Sequence, residues 1–356
     1  MQFPNAAYAF QIKGTPVSCE EFGHGHINQT LMLTTDTSDT YVLQRINTYV
    51  FRKPVELMEN VCAVTEFIRT KDADPHHSLH FLPAKDGKNY FIDSDGEFWR
   101  MYAFVDGFSL DTPESENDLY QSALAFGKFQ MLLADFPAHT LHETIPEFHN
   151  TVDRYRLLKE SAQADPCDRL RTAMPEMDFL LTQEELACTL QRMREQGELP
   201  LRVTHNDTKL NNVLLDRVSR EHLCVLDLDT VMPGLSLYDY GDSIRFGAAT
   251  TASEEDASIS MDLHLFEVYT RGFLAAATNL TRKEIEMLPL STIVITLELA
   301  TRFLKDYLDG DLYFRVAYPT HNLERARGQI RLAKDMMTKL EDMQCIVAQL
   351  RQNIVC

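Results

Sequence analysis

The stretch VTHNDTKLNNVLLD, Val203 to Asp216, crowds His205, Asp207, Lys209 and three asparagines between short apolar ends. Asp207 and Asn212 stand five residues apart, on a loop that should follow one strand and precede another. Asp227 and Asp229 follow in CVLDLDT, Cys224 to Thr230, behind an apolar run. This order of oxygen-bearing side chains suits phosphoryl transfer. Asp207 would orient an attacking hydroxyl and take its proton, while the Asn212 carbonyl and the Asp227 carboxylate hold Mg²⁺ against the phosphates of ATP. Mg²⁺ takes oxygen ligands, and a loop clamped between strands holds the groups still, which supplies much of the rate in this chemistry. A solvated hairpin loop with side-chain-to-backbone bonds accounts for the first stretch alone. It does not account for Asp227-Leu228-Asp229 arriving fifteen residues after Asn212.

Such groups need a scaffold. The first hundred residues read as strands: TPVSCEEFGHGHINQTLMLTTD gives two around a glycine turn, and TYVLQRI is rich in β-formers. KPVELMENVCAVTEFIRT has helical spacing with Pro54 in its first turn. KNYFI, a DSDG turn and EFWRMYAF signal a hairpin. After VDGFSLDTPESEND the chain turns helical, with Thr281 and Glu284 spaced as a capping box. The expectation is an α+β, bilobal protein-kinase-like fold. Residues 1–105 would form a small antiparallel-sheet N-lobe with one helix and a nucleotide-covering loop, and 106–356 a large helical C-lobe carrying the catalytic loop and acceptor site. Ligands commonly bind where domains meet.

The layout parallels the H-R-D-x-x-x-x-N and D-F-G pair of protein kinases. In that scheme Gly23 and Gly25 of FGHGHINQT cover the nucleotide phosphates, although a plain turn explains them as well. TYVLQRI lacks the usual lysine, so Gln44 or Arg45 would take its place, with Glu59 as a helix partner. Tyr102 and Phe104 of RMYAF would lie at the hinge that contacts adenine; a buried strand end is the alternative.

Composition narrows the partners. A net charge of −19 over 356 residues argues against a nucleic-acid partner, whose binding relies on Lys and Arg neutralising phosphates. Seven scattered cysteines without a C-x-x-C pair read as free thiols of a reducing compartment. Uninterrupted apolar runs fall short of the ~20 residues of a membrane span, and the N-terminus lacks the pattern of a signal peptide. A soluble, cytoplasmic chain without a membrane partner is therefore expected. For His76, His77 and His80 no Cys or carboxylate completes a zinc-ligand set at close spacing.

VTHNDTKLNNVLLD, CVLDLDTVMPGLSLYDYGDSIRFGA and LATRFLKDYLDGDLYF resemble the aminoglycoside phosphotransferase and choline kinase-like superfamily, and within it the hexosamine kinases. The resemblance runs from FGHGHINQT to YPTHNLERARGQI, nearly the whole chain. The superfamily's common loop is H-G-D-L-H-P-G-N; here Asn206 replaces its glycine and Thr208-Lys209-Leu210-Asn211 replace L-H-P-G, a departure that marks the hexosamine kinases. The resemblance implies ATP-dependent phosphorylation of the C1 hydroxyl of N-acetylglucosamine or N-acetylgalactosamine. Transfer to another small alcohol, a different sugar or an aminoglycoside, is the alternative. It implies Asp207 as base, Asn212 and Asp227 as Mg²⁺ ligands, and a sugar site of His26, Asp207, Asp229, Phe246, Arg302 and Tyr313. The residues alone leave other roles open: Arg302 paired with Asp306 at i, i+4, Phe246 in a core, His26 in a solvated turn. Asp239 and Asp242 either brace the loop or cap a helix beginning near Asp242. The overall negative charge favours a cationic acceptor, but only charges in the site itself decide.

Overall fold

The computed structural model describes residues 4–23 and 27–355. The chain divides into two compact units. The first holds the chain through Phe108 together with 135–146 and 213–233; the second holds 109–134, 147–212 and everything from Gly234 onward. The chain first crosses between the units after Phe108. The two later returns to the first unit are set by long-range contacts that no local pattern announces.

The first unit is built on β1 (Pro16–Glu21), β2 (Gln29–Thr35), β3 (Thr40–Ile46), α1 (Pro54–Lys71), β4 (Phe91–Ile92) and β5 (Phe98–Ala103). The strands form one antiparallel sheet in the order β1-β2-β3-β5-β4. Alternation turns Leu31 and Leu33 inward, and the register sets Leu31 beside Leu43 and Leu43 beside Met101. These residues share a core with Phe10 and Trp99. On α1, buried Asn60 donates from its amide to the backbone oxygens of His142 (2.8 Å) and Val231 (3.0 Å), and accepts from His142 N (2.8 Å). One side chain thus ties both later returns of the chain onto α1.

The second unit begins with α2 (Glu116–Leu132), α3 (Thr151–Ala164), α4 (Met174–Thr182), α5 (Glu184–Ala187), α6 (Thr189–Glu195) and β6 (Arg202–Thr204). The chain returns to the first unit for β7 (Val213–Leu215) and β8 (His222–Val225), an antiparallel pair, and leaves it through β9 (Met232–Gly234). It continues as α7 (Ser236–Gly247), α8 (Leu263–Ala276), α9 (Arg282–Asp309), α10 (His321–Thr338) and α11 (Leu340–Val355). The capping box forms: Thr281 Oγ1 accepts from Glu284 N at 3.2 Å, and Glu284 Oε2 from Thr281 N at 2.7 Å. Gly310, at φ +95°, ends α9. By length and composition α9 is apolar enough to cross a membrane, contrary to the expectation from uninterrupted runs, yet 78% of its apolar window is buried within the protein. It is the core helix of its unit. At Gly241 of α7 a Cβ would lie 2.6 Å from the Ser291 carbonyl oxygen of α9, so only glycine permits this approach.

Candidate active site

The loop after β6 is shaped by one residue with an unusual backbone. Asn206 sits at φ +66°, the left-handed region that costs most side chains about 1–2 kcal/mol and that Asn tolerates. This explains how Asn206 can stand where the superfamily loop has glycine. The loop is held from beneath by two carboxylates of α7. Asp239 accepts from His205 N (2.9 Å), Asn206 N (2.8 Å) and Gln130 Nε2 (2.6 Å), and Asp242 accepts from Thr208 N (3.3 Å). Because α7 starts at Ser236, both lie inside the helix and brace the loop rather than cap it. Burial pushes the Asp239 carboxyl above its ordinary value, against the pull of His205 and the loop amides.

That frame presents Asp207. Its Oδ1 lies 3.0 Å from Lys209 Nζ, and Asn212 Nδ2 donates to its backbone oxygen (2.8 Å) and to Oδ2 (3.2 Å). Burial would depress the Lys209 ammonium, but Asp207 and Asp242 outweigh it and hold it above its usual range. With its nitrogen spent on Asp207, Asn212 offers its carbonyl oxygen, the donor type a hard divalent cation takes. Lys209 was legible only as a departure from the superfamily loop; its pairing with the candidate base emerges from the folded loop.

Asp207 also lines a cavity of about 180 Å³ that lies wholly in the second unit, with Phe246 and Arg302 in its wall. Four Lys and Arg side chains line it, each paired with a carboxylate: Lys209 with Asp207 (3.0 Å), Arg245 with Asp242 (2.8 Å) and Glu254 (3.1 Å), Arg325 with Glu254 (2.7 Å) and Arg302 with Glu298 (3.9 Å). Phe246 packs flat on the Arg245 guanidinium, 3.7 Å from its ring centre. The alternative pairing of Arg302 with Asp306 is corrected: Arg302 looks one turn back to Glu298, and Asp306 accepts from the Tyr313 and Phe314 amides (2.8 and 2.9 Å). Asp306 thereby fixes the loop bearing Tyr313, an exposed ring 5.8 Å from the Arg302 guanidinium.

Residues 18–272, more than half of the chain, match the APH family, a phosphotransferase enzyme family. The chain belongs to that family. This phosphotransferase shares its fold with an aminoglycoside phosphotransferase from Alicyclobacillus acidocaldarius, 16% identical over 99% of this chain and 97% of the other, with a TM-score of 0.61. A microcompartment-associated aminopropanol kinase is 18% identical over 91% and 93% of the two chains, with a TM-score of 0.62. Amicoumacin kinase, solved with AMP-PNP and Ca²⁺, is 13% identical over 95% and 90%, with a TM-score of 0.57. The expected kinase-like architecture, an antiparallel sheet followed by a large helical region, is the architecture of these relatives.

The first unit of the phosphotransferase carries the remaining expected residues. Asp227 is exposed and left-handed, at φ 52° and ψ 59°, heading the short turn Leu228–Thr230. Asp229 is buried: one carboxylate oxygen pairs with Arg100 Nη1 and the other accepts from Asn28 Nδ2 at 2.7 Å. Arg100 Nε donates to Gln44 Oε1 (2.9 Å), and Gln44 Nε2 to Thr30 Oγ1 (3.0 Å). Burial opposes the Arg100 charge, but Asp229, with Asp227 beyond it, more than offsets this. Both residues expected to replace the missing lysine have partners in the first unit. Gln44 is absorbed into the Arg100 network, and Arg45, on the opposite face by strand alternation, pairs with Glu97 at 3.2 Å near the surface. Arg100, paired with Gln44 across the β3–β5 register, is the buried cation of this unit that sequence reading missed. Glu59 bonds His142 at 2.7 Å rather than Arg45.

Gly23 takes φ +78° with open space where a Cβ would stand, whereas Gly25 and His26 lie outside the described residues. Phe104 packs edge-on against Phe22 at 5.8 Å, and its N–H is spent on Thr40 O at 3.1 Å. The Tyr102 ring lies 5.2 Å from Phe81, and burial pushes its hydroxyl pKa well up.

Proposed function

We propose that this phosphotransferase is an N-acetylhexosamine 1-kinase, transferring the γ-phosphate of ATP to the C1 hydroxyl of N-acetylglucosamine or N-acetylgalactosamine. The observation that carries the reading is the charge pairing of the cavity beside Asp207, where the four cations each have a carboxylate partner. A wall of balanced charge with phenylalanine faces favours a neutral polyol, whose hydroxyls find donors and acceptors and whose apolar face meets rings. A polycationic acceptor would call for carboxylates in excess, so the global charge of −19 carries little weight for specificity.

In this reading Asp207 takes the proton of the C1 hydroxyl as that oxygen attacks the γ-phosphorus and ADP leaves. Lys209 and Asn212 hold the carboxylate in one orientation. Phe246 supplies a face for the sugar ring, Arg302 and Tyr313 donate to its oxygens, and His26 is the further residue assigned to the sugar. Asn212 and Asp227 offer the oxygens for Mg²⁺, which when bound neutralises phosphate charge as it shifts to the leaving group. Gly23 and Gly25 cover the phosphates; Tyr102 and Phe104 border the adenine. Asp229, with both oxygens engaged in the first unit, acts on the sugar only through the Asp227 turn it anchors.

The test is incubation with ATP, Mg²⁺ and a panel of N-acetylhexosamines, parent sugars, aminoglycosides and amino alcohols, reading the product by ³¹P NMR. An anomeric sugar phosphate from the N-acetylhexosamines, lost in Asp207→Asn while the protein stays folded, is expected. Phosphorylation of a cationic acceptor alone would sink the reading and leave a kinase for another small alcohol.

A further inference from the structure

The turn that carries Asp227 is held by side chains from three separate parts of the first unit. Asp227 itself is left-handed, a conformation that costs most residues about 1–2 kcal/mol and persists where surrounding contacts over-determine it. Across the turn Val231 N donates to Leu228 O at 3.1 Å, and Val231 O accepts from Asn60 Nδ2 of α1 at 3.0 Å. Asp229, two residues after Asp227, is caught twice more: by Arg100 of β5 and by Asn28, the residue that leads into β2.

Asn28 is the member of this set whose orientation is dictated. Its Oδ1 accepts from Asn47 N at 2.9 Å, so the donating end of the amide faces the other way, and Nδ2 reaches Asp229 Oδ2 at 2.7 Å. The other Asp229 oxygen takes Arg100, whose Nε is held by Gln44 and, through Gln44, by Thr30 of β2. Each oxygen of the buried carboxylate thus has its own donor, and the group cannot rotate without losing one. The Arg100 charge is also near enough to Asp227 to be reinforced by it. A guanidinium released by Asp229 would therefore compete with a cation for the exposed Asp227 carboxylate. While Asp229 is clamped, the Arg100 charge is matched, and Asp227 can offer its oxygens to the hard divalent ion that carboxylates take.

We propose that Asn28 is a positioning residue for the divalent metal: by fixing the Asp229 carboxylate between itself and Arg100, it keeps the Asp227 turn in the geometry that binds Mg²⁺. The inference rests on the reading of Asp227 as a metal ligand. Groups that orient a metal's ligands without touching the metal cost about 10–100-fold in affinity or activity when removed. Calorimetric titration with ADP, once with Mg²⁺ and once with EDTA, measures the affinity gained from the metal without any turnover. In Asn28→Ala that gain should fall about tenfold or more, while the metal-free affinity for ADP stays near that of wild type. Asn28→Leu, which fills the same volume without a donor, should lose the gain likewise. Weakening of ADP by one factor with and without Mg²⁺ is what a merely structural role produces, and it would overturn the assignment, as would an unchanged gain in either variant. Asp227→Asn separates the inference from its premise. If Asp227→Asn loses the gain and the Asn28 variants keep it, this inference alone falls. If Asp227→Asn keeps the gain, or Mg²⁺ adds nothing to ADP binding in the wild-type protein, the reading of Asp227 falls first.

Discussion

Single side chains carry unequal weight in this phosphotransferase. Asp207, the proposed base, is partly exposed and matched in shape by Asn. Arg100 and Asp229 are the reverse, 3% and 2% exposed and paired with each other. Removing one member of a buried ion pair strands the other charge, which costs about 3–5 kcal/mol, whereas replacing both by apolar groups costs far less. Arg100→Met should therefore lower chemical-denaturation stability by about 3 kcal/mol or more, and Arg100→Met with Asp229→Leu should recover much of it. Equal stability of the single and double variants would remove Asp229 as the partner that makes Arg100 indispensable.

At the scale of elements, the catalytic loop is a strand end bent by one left-handed residue and pinned to a helix. β6 delivers the chain, Asn206 turns it at φ +66°, Asp239 of α7 catches the amides of His205 and Asn206, and Asp242 catches that of Thr208. Asn206→Ala should cost about 1–2 kcal/mol, because Cβ in that region meets the following carbonyl without the local bonding Asn offers. Asn206→Gly should cost less, since glycine enters the region freely. Thermal unfolding of the three proteins checks the order; Ala as stable as Asn would mean that the turn is not the strained point of the loop.

For the whole molecule, acid is the relevant stress. Glu298 and Asp242 are held below their ordinary values of 4.5 and 3.8 because the cations around them outweigh burial. A folded pKa lower than the unfolded one means that the unfolded chain takes up the proton first. Their contribution is present in full above those ordinary values and is lost as pH falls through the lower folded values. Asp239, pushed up, works in the opposite sense and reduces the acid-side slope. Glu298→Gln should be less stable than wild type at neutral pH, yet lose less further stability between roughly pH 5 and 3. Parallel stability curves for the two proteins would exclude Glu298 as a source of the acid sensitivity.

What could be read from residue order alone was whatever depends on neighbours along the chain. The five-residue step from Asp207 to Asn212, the alternation of β2, the capping box at Thr281 and the change to helical periodicity after VDGFSLDTPESEND all concern groups a few bonds apart, where spacing dictates geometry. Family membership follows from the same local signatures. Partners were another matter. Arg100 meets Asp229 across 129 positions and His149 meets Glu298 across 149, and nothing in a charge's neighbourhood says which distant charge will neutralise it. Arg45 and Arg302 were assigned by adjacency and strand position, and the fold gave the first to Glu97 and the second to Glu298. For the buried pairs tertiary structure decided because burial makes an unpaired charge too costly, so each buried ion is paired wherever the packed chain brings an opposite one.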